Sequence, residues 1–153
     1  MKLAEALILR ADYQKRIEQL RHRLTVNAKV QEGDQPNEDP EALMEELKDL
    51  LAKLQDIIQK INKTNVMTAF DDKRNLADVL TQREILAMER NIYSNMLDEA
   101  NIRMDRYSRS EIKYVSTIDV KETQKYVDDL SKKYRELDIK IQELNWKTDL
   151  IEN

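Results

Sequence analysis

The amino-acid sequence predicts an all-α fold: an antiparallel four-helix bundle of long helices joined by short connections, over residues 1–153 as a single domain. Three observations carry that expectation. Breakers are scarce, with one Gly and two Pro in 153 residues. Apolar residues make up 41% and charged residues 37%, which suits helices with one greasy stripe and a salted outer face. Apolar positions also recur every three or four residues in four separate stretches. Aromatics reach only 5%, so the core is expected to be aliphatic and a broad β-sandwich is disfavoured.

The first helix is expected from about Lys2 to Ala28, on the stripe Leu3, Ala6, Arg10, Tyr13, Ile17, Leu20, Leu24 and Asn27. Val30 to Glu38 reads as a loop, because Gly33, Asp34, Pro36 and Asn37 are turn formers. Asp39 followed by Pro40 reads as an N-cap with proline at the first helical position, and Glu41 favours the positive end of the helix dipole. The second helix runs to about Thr64 on Leu43, Leu47, Leu50, Leu54, Ile57 and Ile61, a seam of coiled-coil grade. Asp71-Asp72-Lys73-Arg74 reads as a turn, and Asn75 with Asp78 resembles a capping box. The third helix is expected from Leu76 to Met104, on Leu76, Val79, Arg83, Leu86, Arg90, Tyr93, Leu97, Ala100 and Met104; at the helical rise it spans roughly 44 Å. Ile112, Tyr114, Val115 and Ile118 favour a short extended segment near residues 112–118. Asp119 with Glu122 opens the fourth helix, which carries Thr123, Val127, Leu130, Tyr134, Leu137, Ile141, Leu144, Thr148 and Ile151. Gln124, Ser131, Asp138 and Asn145 form a polar shoulder beside that stripe.

Arginines take inward steps in the first and third stripes. In an antiparallel bundle with both termini at one end, Arg10 and Arg83 each lie about two turns up, near the level of Asn145. Arg90 falls near the level of Asp138. The expectation is a polar layer of Arg10, Arg83 and Asn145, with an Arg90–Asp138 pair above it. A buried guanidinium left alone costs several kcal/mol, so each needs an acceptor, a bound anion or a route outward. Two readings stay open: a structural layer that fixes helix register, and a pocket for a small ligand or anion between the helices.

At the opposite end, Glu32, Asp34, Glu38, Asp39, Glu41, Glu45 and Glu46 lie within one stretch that has no Lys or Arg. Arg103, Arg106, Arg109 and Lys113 fall at the same end. These opposite fields pair within the molecule or between subunits, or stay solvated. Arg106, Tyr107, Arg109, Lys113 and Tyr114 are the candidate interaction residues.

Several function classes are disfavoured. A net charge of −4 gives no footprint for general nucleic-acid binding. Without Cys there is no thiol chemistry. His22, the one histidine, reads as a surface residue, and Glu-x-x-His pairs, Gly-rich phosphate loops and His-Glu-x-x-His are missing. No metal, cofactor or catalytic residue is expected, and the chain does not read as an enzyme. Tyr93, Met96, Met104 and Tyr134 read as core filler, and Trp146 as a core anchor ahead of a partner contact. The apolar run from Leu3 is interrupted by Glu5 and ended by Arg10 and Asp12, which fails as a leader; no run approaches the ~20 residues of a membrane span. The expected compartment is the cytoplasm, without membrane contact.

Several motifs carry a family resemblance: Lys2-Leu3-Ala4-Glu5-Ala6-Leu7, Gln31-Glu32-Gly33, Asp39-Pro40-Glu41, Ile61-Asn62-Lys63-Thr64-Asn65, Arg106-Tyr107-Ser108-Arg109-Ser110-Glu111-Ile112-Lys113 and Ile141-Gln142-Glu143-Leu144-Asn145-Trp146. Together they resemble a bacterial family of small all-helical proteins of unknown function whose members often bear the label septicolysin. The label implies a cytolysin, whereas these helices are salted amphipaths rather than membrane hairpins. No catalytic residue carries over from the family. The leading expectation is a homo-oligomeric helical interaction or scaffold protein whose contact or recognition element is the loops at the top of the bundle, including Ile112 to Ile118, its protein partners otherwise unspecified. The runner-up is a ligand or anion binder using the arginine layer.

Overall fold

The computed structural model describes residues 1–101 and 112–153. Among them lie four long helices: α1 (Leu3–Val26), α2 (Pro40–Met67), α3 (Leu76–Ala100) and α4 (Val120–Lys147). The all-α, four-helix class is as the sequence predicts. The segment at 112–118 carries no β-pairing; residues 112–116 are irregular. The chain divides into two compact units, Met1–Leu76 with Glu143–Asn153, and Ala77–Gln142.

In the first unit, α1 opens on the Lys2 N–H, which donates to Glu5 Oε2 at 2.6 Å. The expected α1 stripe is the one that packs: Leu3, Ala6, Leu20 and Asn27 are buried, and Arg10, Tyr13, Ile17 and Leu24 half-buried. The Asn27 side chain ends the helix. Its Nδ2 donates to the Arg23 carbonyl at 2.8 Å, and its Oδ1 accepts the Glu38 N–H at 3.0 Å. Beside it Arg23 grips Glu38 at 2.6 Å, and this contact holds the Glu38 carboxyl below its ordinary range. One acid of the charged stretch is therefore paired within the chain.

α2 starts where the sequence places it: Asp39 Oδ1 accepts the Glu41 N–H at 3.1 Å, and Pro40 occupies the first turn. Leu20, Leu43 and Leu50 form a buried cluster with Tyr13, Ile17, Leu24 and Leu47 packed on it, which joins α1 to α2 as an antiparallel pair. The expected end at Thr64 is three residues short. Thr64 lies inside the helix in a fully buried position, its hydroxyl satisfied by donating to the Lys60 carbonyl one turn back at 2.8 Å. The same oxygen accepts the Ile151 N–H at 2.9 Å.

The α2–α3 connection is the expected turn. Ala69 and Asn75 form an isolated bridge. Between them Asp71 Oδ1 accepts the N–H groups of Lys73 and Arg74 at 3.0 and 2.8 Å. Arg74 pairs with Asp71 at 2.7 Å, and its guanidinium lies over the Phe70 ring. Foremost the Arg74 side chain, then the Lys73 N–H, lower the Asp71 carboxyl from the ordinary 3.8 to about 2. A depressed carboxyl contributes stability above its unfolded pKa and loses it as pH falls through its folded pKa. We therefore expect Asp71→Asn to remove part of the acid dependence of unfolding between pH 3.8 and about 2, and to leave the slope at neutral pH unchanged in urea titrations.

The tail closes this unit. α4 stops at Lys147, not Ile151, because the next residues turn to meet the start of the chain. Leu3 N–H donates to the Thr148 carbonyl at 2.9 Å and Leu150 N–H to the Met1 carbonyl at 2.8 Å, with Lys2 and Asp149 bridged in between. The Lys2 ammonium sits 2.8 Å from the Asp149 carboxylate and lowers its pKa. Lys63 Nζ donates to the Asn153 carbonyl at 2.6 Å.

Candidate interaction surface

The second unit is built on α3 and α4, and α3 has two apolar faces. One is the expected stripe, with Leu76 and Val79 fully buried and Leu97 4% exposed. This side of the helix also carries the polar groups that reach α4. Arg83 Nη1 lies 2.7 Å from Asp138 Oδ1, and Gln142 Nε2 donates to the same oxygen at 3.4 Å. Arg90 lies over the Tyr134 ring, 5.1 Å from its centre. Tyr93 meets Tyr126 edge to face at 5.1 Å. The Tyr126 hydroxyl donates to Glu89 at 2.6 Å, and this carboxylate pushes the phenol pKa up. A polar and aromatic series thus holds α3 antiparallel to α4.

The Arg90–Asp138 pair expected from the sequence is corrected here: Asp138 serves Arg83, and Arg90 serves Tyr134. The reason is register. The sequence pattern carries α4 to Ile151, but the helix ends at Lys147. Four residues taken out of the helix shift every height along it by about one turn. Arg10 is half-buried on α1 and makes no ion pair among the described residues. Asn145 is buried, 4% exposed, near the end of α4. Arg83 and Arg90, as described, are occupied by side chains of the same unit.

The second face of α3 was missed. Ile85, Met88, Ile92 and Met96 are 53%, 54%, 62% and 37% exposed, at i, i+3, i+7 and i+11. That spacing keeps all four on one side of a helix over about 16 Å. Met96 is therefore not core filler. Trp146, at 54% exposed, is not a core anchor either. The signal was available: reading α3 from Ile85 in steps of three and four gives a second stripe as regular as the first, and a helix apolar on two sides packs on both or offers one.

The stripe continues at both margins. Tyr126, 40% exposed, adjoins it through Glu89. At the other end Met96 lines a cleft of about 550 Å³ with Glu99, Ala100, Asn101 and the segment from Tyr114 to Ile118. Of the candidate interaction residues, Lys113 and Tyr114 are exposed, and Tyr114 lines this cleft. Arg106, Tyr107 and Arg109 lie outside the described residues. His22 is exposed. Among the described residues no group of His, Cys, Asp or Glu is arranged to hold a metal, and no helix is long and apolar enough to cross a membrane.

Comparison with known proteins gives two matches. A family profile described as "Family of unknown function (DUF6847)" matches residues 10–150. A crystal structure from Corynebacterium diphtheriae, described as a functionally unknown conserved protein, is 47% identical over 99% of both chains, with a TM-score of 0.92. No curated protein matches the chain.

Proposed function

We propose, from the premise that the chain belongs to the DUF6847 family of unknown function, that it is a helical protein-interaction module whose contact surface is the second face of α3. The observation that carries this reading is the exposed row Ile85, Met88, Ile92 and Met96. Contiguous apolar patches rimmed by polar residues mark interaction sites, whereas scattered apolar residues do not. Covering a half-exposed Ile or Met contributes about 1 kcal/mol, so the row contributes roughly 3–6 kcal/mol per chain. Thr81, Glu84, Asn91, Asn95 and Glu99 supply the polar rim that such surfaces have. Arg83 and Arg90 support the structural reading of the arginines, since each has a partner across α3 and α4.

A photo-cross-linking amino acid at Ile92, expressed in the native host, tests the reading. The expected result is a discrete heavier adduct from Ile92, with none when the same group replaces exposed Lys132 on α4. Equal yields at the two positions, or none at either, would overturn it.

A further inference from the structure

We infer that the partner for this face is the same face of a second copy, packed antiparallel about a two-fold axis between Met88 and Ile92; the inference rests on the interaction reading above. Three observations point to it. The first is the order of the row. Turned end for end about that axis, Ile85 comes opposite Met96 and Met88 opposite Ile92, so an apolar side chain meets an apolar side chain at every step. An isologous contact requires this self-complementarity, since each contact is made twice.

The second is charge. Along the crest and its margins the ionised groups are Asp78, Glu84, Glu89 and Glu99, all acidic. Glu89 is engaged by the Tyr126 hydroxyl. In a parallel, in-register pair Glu84 would face Glu84 and Glu99 would face Glu99, which opposes association. In the antiparallel pair Glu99 falls opposite Thr81 and Glu84 near Met96, and no acid of the row faces another. The third is continuity. Tyr114 and Val115, 85% and 76% exposed, share the Met96 cleft and extend the apolar strip beyond the end of the row. In the antiparallel pair this extension lies toward the partner's Ile85 end, which enlarges a contact that four side chains alone would leave small.

The exposed apolar residues of α2 do not offer the same solution. Met44 and Leu51 share their side of the helix with Lys48 and Gln55, both exposed. A contact between α2 of one copy and α3 of another would also be heterologous and need not close.

The chain has no cysteine, so introduced thiols report without background. Ile85→Cys and Met96→Cys chains, mixed under mild oxidation, are expected to give a disulfide-linked species of twice the 18.2 kDa chain mass. Each variant alone is expected to give at least tenfold less, because in the antiparallel pair a residue at 85 lies about 15 Å along the axis from its own copy, outside disulfide reach. Sedimentation of the unmodified protein is expected to show a dimer with a micromolar dissociation constant. Ile92→Lys is expected to return it to a single chain with unchanged helical circular dichroism. Self-linking of Ile85→Cys as efficient as the mixed reaction would overturn the antiparallel arrangement. A single-chain mass at about 100 µM would overturn self-pairing altogether. If that mass is found while Ile92 still cross-links to a protein of another size, the interaction reading stands and only the self-partner falls. If no adduct forms, both fall.

Discussion

Leu50→Ala is expected to lower the melting temperature by roughly 6–12 °C, the largest stability effect of any single truncation considered for α2. Leu50 is 1% exposed and belongs to the Leu20–Leu43–Leu50 cluster that joins α1 to α2. Truncating a buried leucine costs about 2–5 kcal/mol, in two parts. The first is the transfer energy of the lost methyl groups. The second is the cavity left when the surroundings relax only in part. Here relaxation is limited from both sides: Leu20 on α1 is itself 1% exposed, and Tyr13, Ile17, Leu24 and Leu47 already pack against the cluster. At about 3 kcal/mol, and a few degrees per kcal/mol in a chain of this size, the shift follows. Leu51→Ala, one residue along but 46% exposed, is the control and should move the midpoint by less than about 2 °C. Calorimetry that finds the two substitutions equivalent would contradict the packing assigned to this pair.

Thr64→Val should destabilise by about 1–3 kcal/mol although it conserves shape and adds apolar surface. Thr64 is fully buried, and one hydroxyl does two jobs there. It donates to the Lys60 carbonyl at 2.8 Å and accepts the Ile151 N–H at 2.9 Å. The first bond matters little, since that carbonyl belongs to a continuous helix. The second is decisive, because the Ile151 amide lies in the tail with no helical acceptor to fall back on. Valine takes the acceptor away from that part-buried amide, which then loses its hydrogen bond and recovers water only in part. Thr64→Ser keeps the oxygen and should recover most of the loss. If urea midpoints rank Val above Ser, the hydroxyl has no part in holding the tail.

Local signals of fold were legible wherever one residue decided one hydrogen bond. Asp39 before Pro40, and Asp119 three residues before Glu122, announce helix starts, and both aspartates accept the N–H groups that such caps are chosen for. The α2 seam was legible for a similar reason: Leu43, Leu50, Ile57 and Ile61 repeat at one side of a helix and all four are buried. Register between helices was not, because it depends on where a helix stops. Nothing local marks Lys147 as the last residue of α4; the stop is made by Met1, Lys2 and Leu3, nearly the whole chain away. That end accounts for about one turn of the two by which Asp138 moves from Arg90 to Arg83. The α3 surface was lost for a different reason. On α3 the stripe with Leu76 and Val79 is the more apolar, and an equally regular row lies on another side of the same helix. The candidate at 106–109 falls outside the described residues; Lys113 and Tyr114 at its edge are exposed.

The stitch between Met1–Leu3 and Thr148–Leu150 makes the two ends of the chain one cooperative piece. The amide of Leu3 is guarded by Thr148, and the amide of Leu150 by Met1. Each amide is hydrogen-bonded to the opposite end of the chain. Opening at either end is therefore expected to expose both amides together, which matching hydrogen-exchange rates for Leu3 and Leu150 would show.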